Sequence, residues 1–302
     1  MRPGDSLIAL AARFGTTPES LAYWNRARYP SLDPESPAYR PERIEVGWQL
    51  VYLPGEVVDP ENLPPASGAP TDEPATPGPI GPYPTLPADG SAALVRRGPT
   101  GLGAVALTFE YAGGVGAGPG GAEAIVQWLA VNGVPATVFL APSAASPDDS
   151  AASATLARLR AGPRIATGVL LATETPSTLA ADLQAADAAL AAGLGRTTLP
   201  FLRPARGTAT SAALQAAGGA GWTWVIAWDV DPGDGVDPAA GGPIATDIVA
   251  RVVSRVEGGS IVRLQLGGAR TLEALPGILE GLEAAGLRIA ALDELLGLTV
   301  PE

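Results

Sequence analysis

The side chains best suited to chemistry in this sequence stand where predicted strands end. The stretch VALTFEYAGG predicts a buried strand that runs into the carboxylate of Glu110 and a glycine-rich turn. Arg203, Asp229 and Gln265 follow other predicted strands in the same way. Because the carboxyl ends of parallel strands face one edge of a sheet, we expect these four residues to gather there. Such an edge suits acid–base chemistry or the binding of a polar ligand.

The composition removes most of the usual catalytic groups. The 302 residues include no His and no Cys, and all 19 basic residues are Arg. A Ser-His-Asp triad, a thiolate nucleophile, a Cys-based zinc site, a Schiff-base lysine and a Walker phosphate loop are therefore excluded. Catalysis would have to use carboxylates, Tyr, Arg, hydroxyl groups and the backbone.

Charge and hydropathy restrict the partners and the location. The net charge is −12 and the basic residues form no cluster, so we expect neither a nucleic-acid partner nor docking on an anionic membrane surface. No run of about 20 apolar residues occurs, which predicts no membrane span. The start MRPGDSLIAL lacks the layout of a signal peptide, so the chain either stays inside the cell or is a mature or trimmed form.

The chain falls into three predicted regions. Residues 1–55 mix aromatics, Arg and turn residues, whereas residues 56–98 are dominated by Pro, Gly, Ala and acids and predict an extended linker. Within that linker Ile80, Tyr83 and Leu86 are candidate anchors to a neighbouring domain. Residues 99–302 alternate about seven strands with helices, which predicts an α/β domain with a parallel sheet, open or closed into a barrel.

The first region resembles a LysM module, a small α+β domain of βααβ order that binds glycans. The similarity covers about residues 2–54 and rests on PGDSLIALAARFGTTPESLAYWN and on the ending VGWQLVYLP. The first strand of the family is almost absent here, and the segment 26–45 is longer than the usual loop. Asp5 or Ser6 suits an N-cap of the first helix and Thr17 an N-cap of the second.

The LysM resemblance also implies a sugar-binding groove. Carried over to this sequence, the groove includes Asp5, Ser6, Leu7 and Asn25 and continues into the longer segment. The ligands that it implies are N-acetylglucosamine polymers, as in peptidoglycan and chitin. The alternative is that Asp5 and Ser6 only cap a helix.

The third region resembles the polysaccharide deacetylases of the NodB-homology family over about residues 99–297. The similarity rests on VALTFEYAGG, GVPATVFL, FLRPARGTATSAALQAAGGAGWTWVIAWDVDPGDG and GGSIVRLQLGG with the helix and strand that follow. The resemblance implies a distorted (β/α)7 barrel.

The catalytic positions of that family carry other residues in this chain. Glu110 stands for the catalytic base and Tyr111 for the metal-binding Asp that follows it. The two metal-binding histidines fall near Gly168 and Ala172, and the catalytic acid His falls at Gln265. The family's reaction needs a divalent metal to activate water, so the resemblance implies a barrel without metal, cofactor or deacetylase activity.

A barrel mouth stripped in this way still offers polar and aromatic groups for a sugar. The candidate binding residues there are Tyr111, Arg203, Arg206, Trp228 and Asp229. The alternative for Glu110 is an ion pair with Arg203 that fills the former metal cavity, because an unpaired carboxylate would be costly there. The segment DVDPGDGVD predicts an acidic turn, since its spacing does not match a calcium-binding loop.

These features together predict a non-catalytic protein of the cell envelope or the extracellular space. Its predicted partners are polysaccharide or peptidoglycan glycan strands, with self-association as a further possibility. One alternative is a structural subunit of a surface layer or filament, suggested by the many small residues and the low charged fraction of 17%. The other is a metal-free carbohydrate hydrolase that uses Glu110.

Overall fold

The chain divides into two compact units, Met1–Thr76 and Pro77–Glu302. The computed structural model describes the residues 6–14, 16–26, 29–32, 36–40, 44, 48, 50, 81–114, 121–162, 164–172 and 175–298. No helix within these ranges is long and apolar enough to cross a membrane.

The first unit is built on two short helices. Helix α1 is Leu7–Phe14 and helix α2 is Pro18–Asn25, and a 3-10 turn follows at Pro30–Leu32. The predicted caps are present, because Ser6 Oγ accepts from the backbone of Ala9 and Thr17 Oγ1 accepts from that of Ser20. The helices bury a small core of Leu7, Leu10, Ala11, Leu21 and Leu32. The predicted closing strand, within residues 46–54, lies largely outside the described residues.

The second unit alternates strands and helices, as the periodicity of the sequence predicts. Its strands are β1 Ala93–Val95, β2 Ala104–Tyr111, β3 Ala136–Leu140, β4 Ile165–Leu171, β5 Phe201–Pro204, β6 Trp224–Ile226, β7 Ile261–Gln265 and β8 Arg288–Ile289. Its helices are α3 Ala122–Val131, α4 Ser150–Ala161, α5 Leu179–Leu194, α6 Ser211–Gly219, α7 Ala245–Val253, α8 Thr271–Ala284 and α9 Leu292–Leu295.

All strand pairs of the second unit are parallel, in the order β1-β6-β5-β4-β3-β2-β7, and β8 adds to β2. The sheet curls, and an isolated bridge between Val230 and Val262 brings the chain after β6 next to β7. The seven-stranded curved parallel sheet confirms the predicted fold class. Its carboxyl edge collects the ends of β2, β5 and β7, which is where the candidate site lies.

Strand β2 is buried on both faces, and this explains its unbroken apolar run. Its residues alternate between two cores, as a strand between helices and a barrel interior requires. Val105, Leu107 and Phe109 pack in the core that the helices cover, whereas Ala104 and Ala106 pack in the barrel interior. Toward the carboxyl end of β2, successive side chains therefore point alternately into the barrel interior and toward the covering helices.

The end of the predicted linker packs on the barrel. Strand β1 pairs with β6, and Ala92 and Val95 are buried. Tyr83 lies against Gly297, where an added Cβ would come within 2.6 Å of its ring. The compact unit thus begins well before residue 99, because β1 completes the edge of the sheet beside β6.

Candidate functional site

The carboxyl edge of the sheet brings three of the predicted residues together. Glu110 is opposite Gln265 in the pairing of β2 with β7, and Arg203 of β5 lies close to the Glu110 carboxylate. Only 4% of the surface of Glu110 is exposed. A carboxylate so deeply buried needs cationic or hydrogen-bonding partners to keep its charge.

Glu110 has two arginine partners. Its Oε2 accepts a hydrogen bond from Nη2 of Arg263 over 2.9 Å. Its Oε1 faces Nη1 of Arg203 at 3.7 Å, and neither of these two atoms has a hydrogen bond among the described groups. The ion pair predicted between Glu110 and Arg203 is therefore present, but the hydrogen-bonded partner of Glu110 is Arg263.

Arg203 is held entirely inside the barrel. Its Nε and Nη2 donate to the carbonyl oxygens of Ile226 and Ala227, and its guanidinium lies 4.1 Å from the ring centre of Phe139. Complete burial lowers the pKa of Arg203 to about 9, although the attraction of Glu110 opposes this shift. At neutral pH the side chain stays protonated, and it ties β5 to the end of β6 rather than facing a ligand.

Arg263 is the principal residue that the sequence reasoning missed. It stands in β7 between two apolar residues, so a charged side chain in a buried strand was the available signal. Its Nη1 donates to Oδ2 of Asp231 over 2.7 Å while Nη2 holds Glu110. Partial burial works against its charge, but the hydrogen bonds and charges of Glu110 and Asp231 outweigh this and raise the pKa of Arg263.

The predicted acidic turn runs alongside β7 and is fastened to it. Asp229 accepts from the hydroxyl of Ser260 and the backbone of Ile261, over 2.9 and 2.7 Å. Asp231 pairs with Arg263. Strand β6 ends at Ile226, and the segment after it continues along β7 through these side-chain contacts and through backbone hydrogen bonds of Val230. Asp229, predicted to bind sugar, is engaged here in holding the start of β7.

Gln265 and Asp234 add further hydrogen bonds between β7 and its neighbouring segments. Gln265 donates from Nε2 to the backbone oxygen of Glu110, and its own backbone N–H donates to Oδ2 of Asp234. Thr271 at the start of α8 donates to the same carboxylate oxygen over 2.6 Å. Burial raises the pKa of Asp234. The residue in the position of the catalytic acid is therefore used to join β7 to β2.

Tyr111 is placed away from the opening, contrary to its prediction as a sugar contact. Its side chain is fully buried in the core between sheet and helices, with Phe109 and Leu107. Burial raises the pKa of Tyr111. The reason is the alternation along β2: since Glu110 points into the barrel, the next residue points to the helices. Because every β-strand alternates in this way, the prediction of a strand over these residues was enough to separate Tyr111 from Glu110.

Trp228, Arg206 and Asp229 are the predicted mouth residues with accessible surface. Trp228 is half-buried, and the guanidinium of Arg263 lies 4.6 Å from the centre of its ring. The ring also packs on Gly207, where an added Cβ would lie 3.1 Å from it. Arg206 is exposed beside this glycine. An aromatic edge flanked by guanidinium groups suits hydroxyl-rich or anionic ligands.

The residues predicted for the groove of the first unit are divided between core and surface. Leu7 belongs to the small core and also lines the same cavity as Ser6, whereas Asn25 is buried with its Nδ2 donating to the carbonyl of Leu21. Ser6 is exposed and lines a cavity of about 430 Å³. Asp5 lies outside the described residues.

Comparison with known proteins agrees with this two-part organisation. The LysM domain family model matches residues 2–35. The second unit has the fold of the CE4 family, the NodB-type polysaccharide deacetylases. No curated protein matches the chain in sequence.

Three solved structures illustrate the similarity of the fold. A family 4 carbohydrate esterase of Bacillus subtilis has a TM-score of 0.58 at 18% identity, covering 69% of this chain and 86% of its own. A peptidoglycan N-acetylglucosamine deacetylase has a TM-score of 0.56 at 21% identity, covering 68% of this chain and 94% of its own. A CE4 family pseudoenzyme from Bacillus anthracis has a TM-score of 0.54 at 20% identity, covering 68% of this chain and 69% of its own.

The residues of this barrel do not fit the divalent metal that the fold family implies. Gly168 faces the interior, where a Cβ would meet the ring of Phe139 at 2.7 Å and Phe201 at 2.9 Å, so an imidazole has no room. Tyr111 points to the helices, and the guanidinium of Arg263 lies against Glu110. Among the described residues no group of three acids is arranged to hold a metal ion.

Proposed function

We propose that this chain is a non-catalytic glycan-binding protein of the cell envelope or extracellular space. Its first unit would bind N-acetylglucosamine polymers of the peptidoglycan or chitin type, and its barrel would serve as a pseudo-deacetylase scaffold. The LysM match at residues 2–35 supports glycan binding. The deacetylase fold of the second unit supports a setting in which glycans are present.

The observation that carries the non-catalytic part is the ion pairing of Glu110. A general base must reach its proton and be free to accept it, whereas Glu110 is buried and held by Arg263 at 2.9 Å and Arg203 at 3.7 Å. Gln265 has no acidic proton for a leaving amine. The metal positions offer Tyr111 and Gly168, and neither presents a ligand to the interior.

The related pseudoenzyme from Bacillus anthracis supports the idea that this fold persists without activity. A mutant of that protein has restored enzymatic activity. Restoring activity in this chain would require additional substitutions, because Phe139 and Arg263 occupy space beside the positions of the missing metal ligands. The same paired state of Glu110 argues against the alternative of a metal-free hydrolase.

The glycan-binding proposal is tested by isothermal titration of the full chain. We expect saturable heat with chitin oligomers or peptidoglycan fragments, and none with a matched glucan that lacks the acetamido groups. Absence of binding to every N-acetylated glycan at millimolar concentration would remove the proposal. Filaments or sheets in electron micrographs of such a non-binding protein would favour the structural-subunit alternative.

The non-catalytic proposal is tested separately. Elemental analysis of the purified protein should find no stoichiometric divalent metal, and acetylated glycans should not be turned over. Turnover that the Glu110→Gln variant loses while it remains folded would establish the hydrolase alternative instead. A stoichiometric metal would overturn the assignment of the barrel as a pseudoenzyme.

A further inference from the structure

A cavity of about 430 Å³ opens between the first turns of α1 and α2 in the LysM unit. Its walls include Ser6 just before α1, Ile8 of α1, Glu19 and Ala22 of α2, and Tyr39 from the segment after the helices. Ile8 is 72% exposed and Tyr39 38% exposed, although both are large apolar side chains. Exposed apolar side chains that line one cavity mark a candidate binding surface.

Tyr39 belongs to the segment that is longer than a LysM loop usually is. This segment is anchored, because Leu32 is fully buried in the small core of the unit. Two backbone hydrogen bonds shape its turn, from Tyr39 to the carbonyl of Ser36 and from Arg40 to that of Ser31, over 3.0 and 2.8 Å. The backbone that carries Tyr39 is therefore held in a defined turn, which limits the backbone entropy lost on binding.

The chemistry of the cavity suits one class of ligand. A sugar ring has an apolar face of C–H groups and a rim of hydroxyl and amide groups, and the cavity has both kinds of surface. Tyr39 and Ile8 supply the apolar walls, whereas the hydroxyl of Ser6 and the carboxylate of Glu19 supply polar contacts. The Glu19 charge, in a chain of net charge −12, disfavours a carboxylate-bearing sugar.

We propose that Tyr39 is a specificity-determining residue that stacks on a neutral N-acetylated sugar at this cavity. The unit consequently prefers chitin-type oligomers to glycans with a carboxylate on alternate sugars. This inference rests on the proposed glycan binding of the first unit. It adds a contact from the chain's own longer segment to that binding site.

The test is isothermal titration of the full chain with chitotetraose. Tyr39→Ala is expected to weaken binding about tenfold, as loss of a stacking anchor does, whereas Tyr39→Phe keeps the ring and stays within about threefold. Tyr83→Ala is the matched control, since Tyr83 is 44% exposed and belongs to the second unit. The control should bind as the wild type does.

A second variant tests the charge preference without touching Tyr39. Glu19→Gln should narrow the advantage of chitotetraose over a carboxylate-bearing peptidoglycan tetrasaccharide by about threefold at low salt, and less at high salt. Equal binding by Tyr39→Ala and the wild type, or an unchanged preference in Glu19→Gln, would overturn this inference and leave the proposed function in place. A wild-type chain that binds no glycan would overturn both.

Discussion

Arg263 of β7 donates a hydrogen bond to the carboxylate of Glu110 in β2 over 2.9 Å, inside the barrel mouth. The same guanidinium donates to Asp231 over 2.7 Å, so one cation bridges two carboxylates. In the deacetylase family that the fold resembles, the cation of this region is a metal ion. Here the guanidinium of Arg263 supplies positive charge beside Glu110.

Removal of this internal cation should destabilise the barrel strongly. In Arg263→Leu, Asp231 loses its guanidinium partner and Glu110 keeps only the longer contact to Arg203. Since a buried carboxylate left without its partner is costly, we expect the free energy of unfolding to fall by about 3 kcal/mol. Urea unfolding followed by tryptophan fluorescence measures this change.

The matched control for that variant is Arg270→Leu. Arg270 pairs with Glu273 on the exposed surface of α8, where an ion pair contributes less than about 1 kcal/mol. Equal losses of unfolding free energy in the two variants would show that the pairing of Arg263 with Glu110 and Asp231 stabilises the barrel no more than a surface ion pair does.

A double-mutant cycle measures the direct interaction between Glu110 and Arg263. Glu110→Gln alone removes the carboxylate that faces Arg203, and we expect a loss of about 3 kcal/mol. In the presence of Arg263→Leu the same change should cost less, because the Glu110 charge is then already poorly compensated. The coupling free energy from the four urea curves should exceed about 1 kcal/mol. Strict additivity would contradict a direct interaction between the two residues.

Gly168 should resist even the smallest side chain. Its added Cβ would lie 2.7 Å from the ring of Phe139, so Gly168→Ala is expected to lower the free energy of unfolding by about 2 kcal/mol through overpacking. Gly219→Ala is a matched control, because a Cβ there meets no atom within 4 Å. Phe139→Leu should restore part of the loss in the Gly168→Ala background. Equal stability of the two alanine variants would show that position 168 has room for a ligand after all.

The buried carboxyl of Asp234 should give the barrel a distinctive pH dependence. Its pKa is raised by burial, so the folded state takes up this proton at a higher pH than the unfolded chain, whose aspartate pKa is about 3.9. The folded state binds more protons in that window, and the contribution of Asp234 to stability therefore rises as pH falls. Above the folded pKa this contribution is at its lowest.

The variant Asp234→Asn isolates this contribution. The stability of the wild type minus that of the variant should become more positive as pH is lowered from 7 to 4, measured by urea unfolding at each pH. Other carboxylates cancel in the difference unless they contact Asp234. A constant difference would show that burial does not raise the pKa of Asp234, and a reversed trend would show that its pKa is lowered in the folded state.

The sequence predicted most of the fold and the identity of several site residues. The alternation of about seven strand-like segments with helices over residues 99–302 predicted the parallel sheet and the helices that cover it. Glu110, Arg203 and Gln265 were expected at one edge, and the structure brings them together. Tyr111 was placed wrongly, because the alternation along β2 turns its ring to the helices.

The sequence by itself excluded several catalytic groups, because a chain without His, Cys or Lys cannot form a Ser-His-Asp triad, a thiolate nucleophile or a Schiff-base lysine. It also determined the order of strands and helices, since periodicity and turn residues act over short distances. Only the tertiary structure decided which charges are paired. Glu110 and Arg263 are 153 residues apart and meet because β2 and β7 are neighbours in the sheet, and no local pattern specifies that neighbourhood.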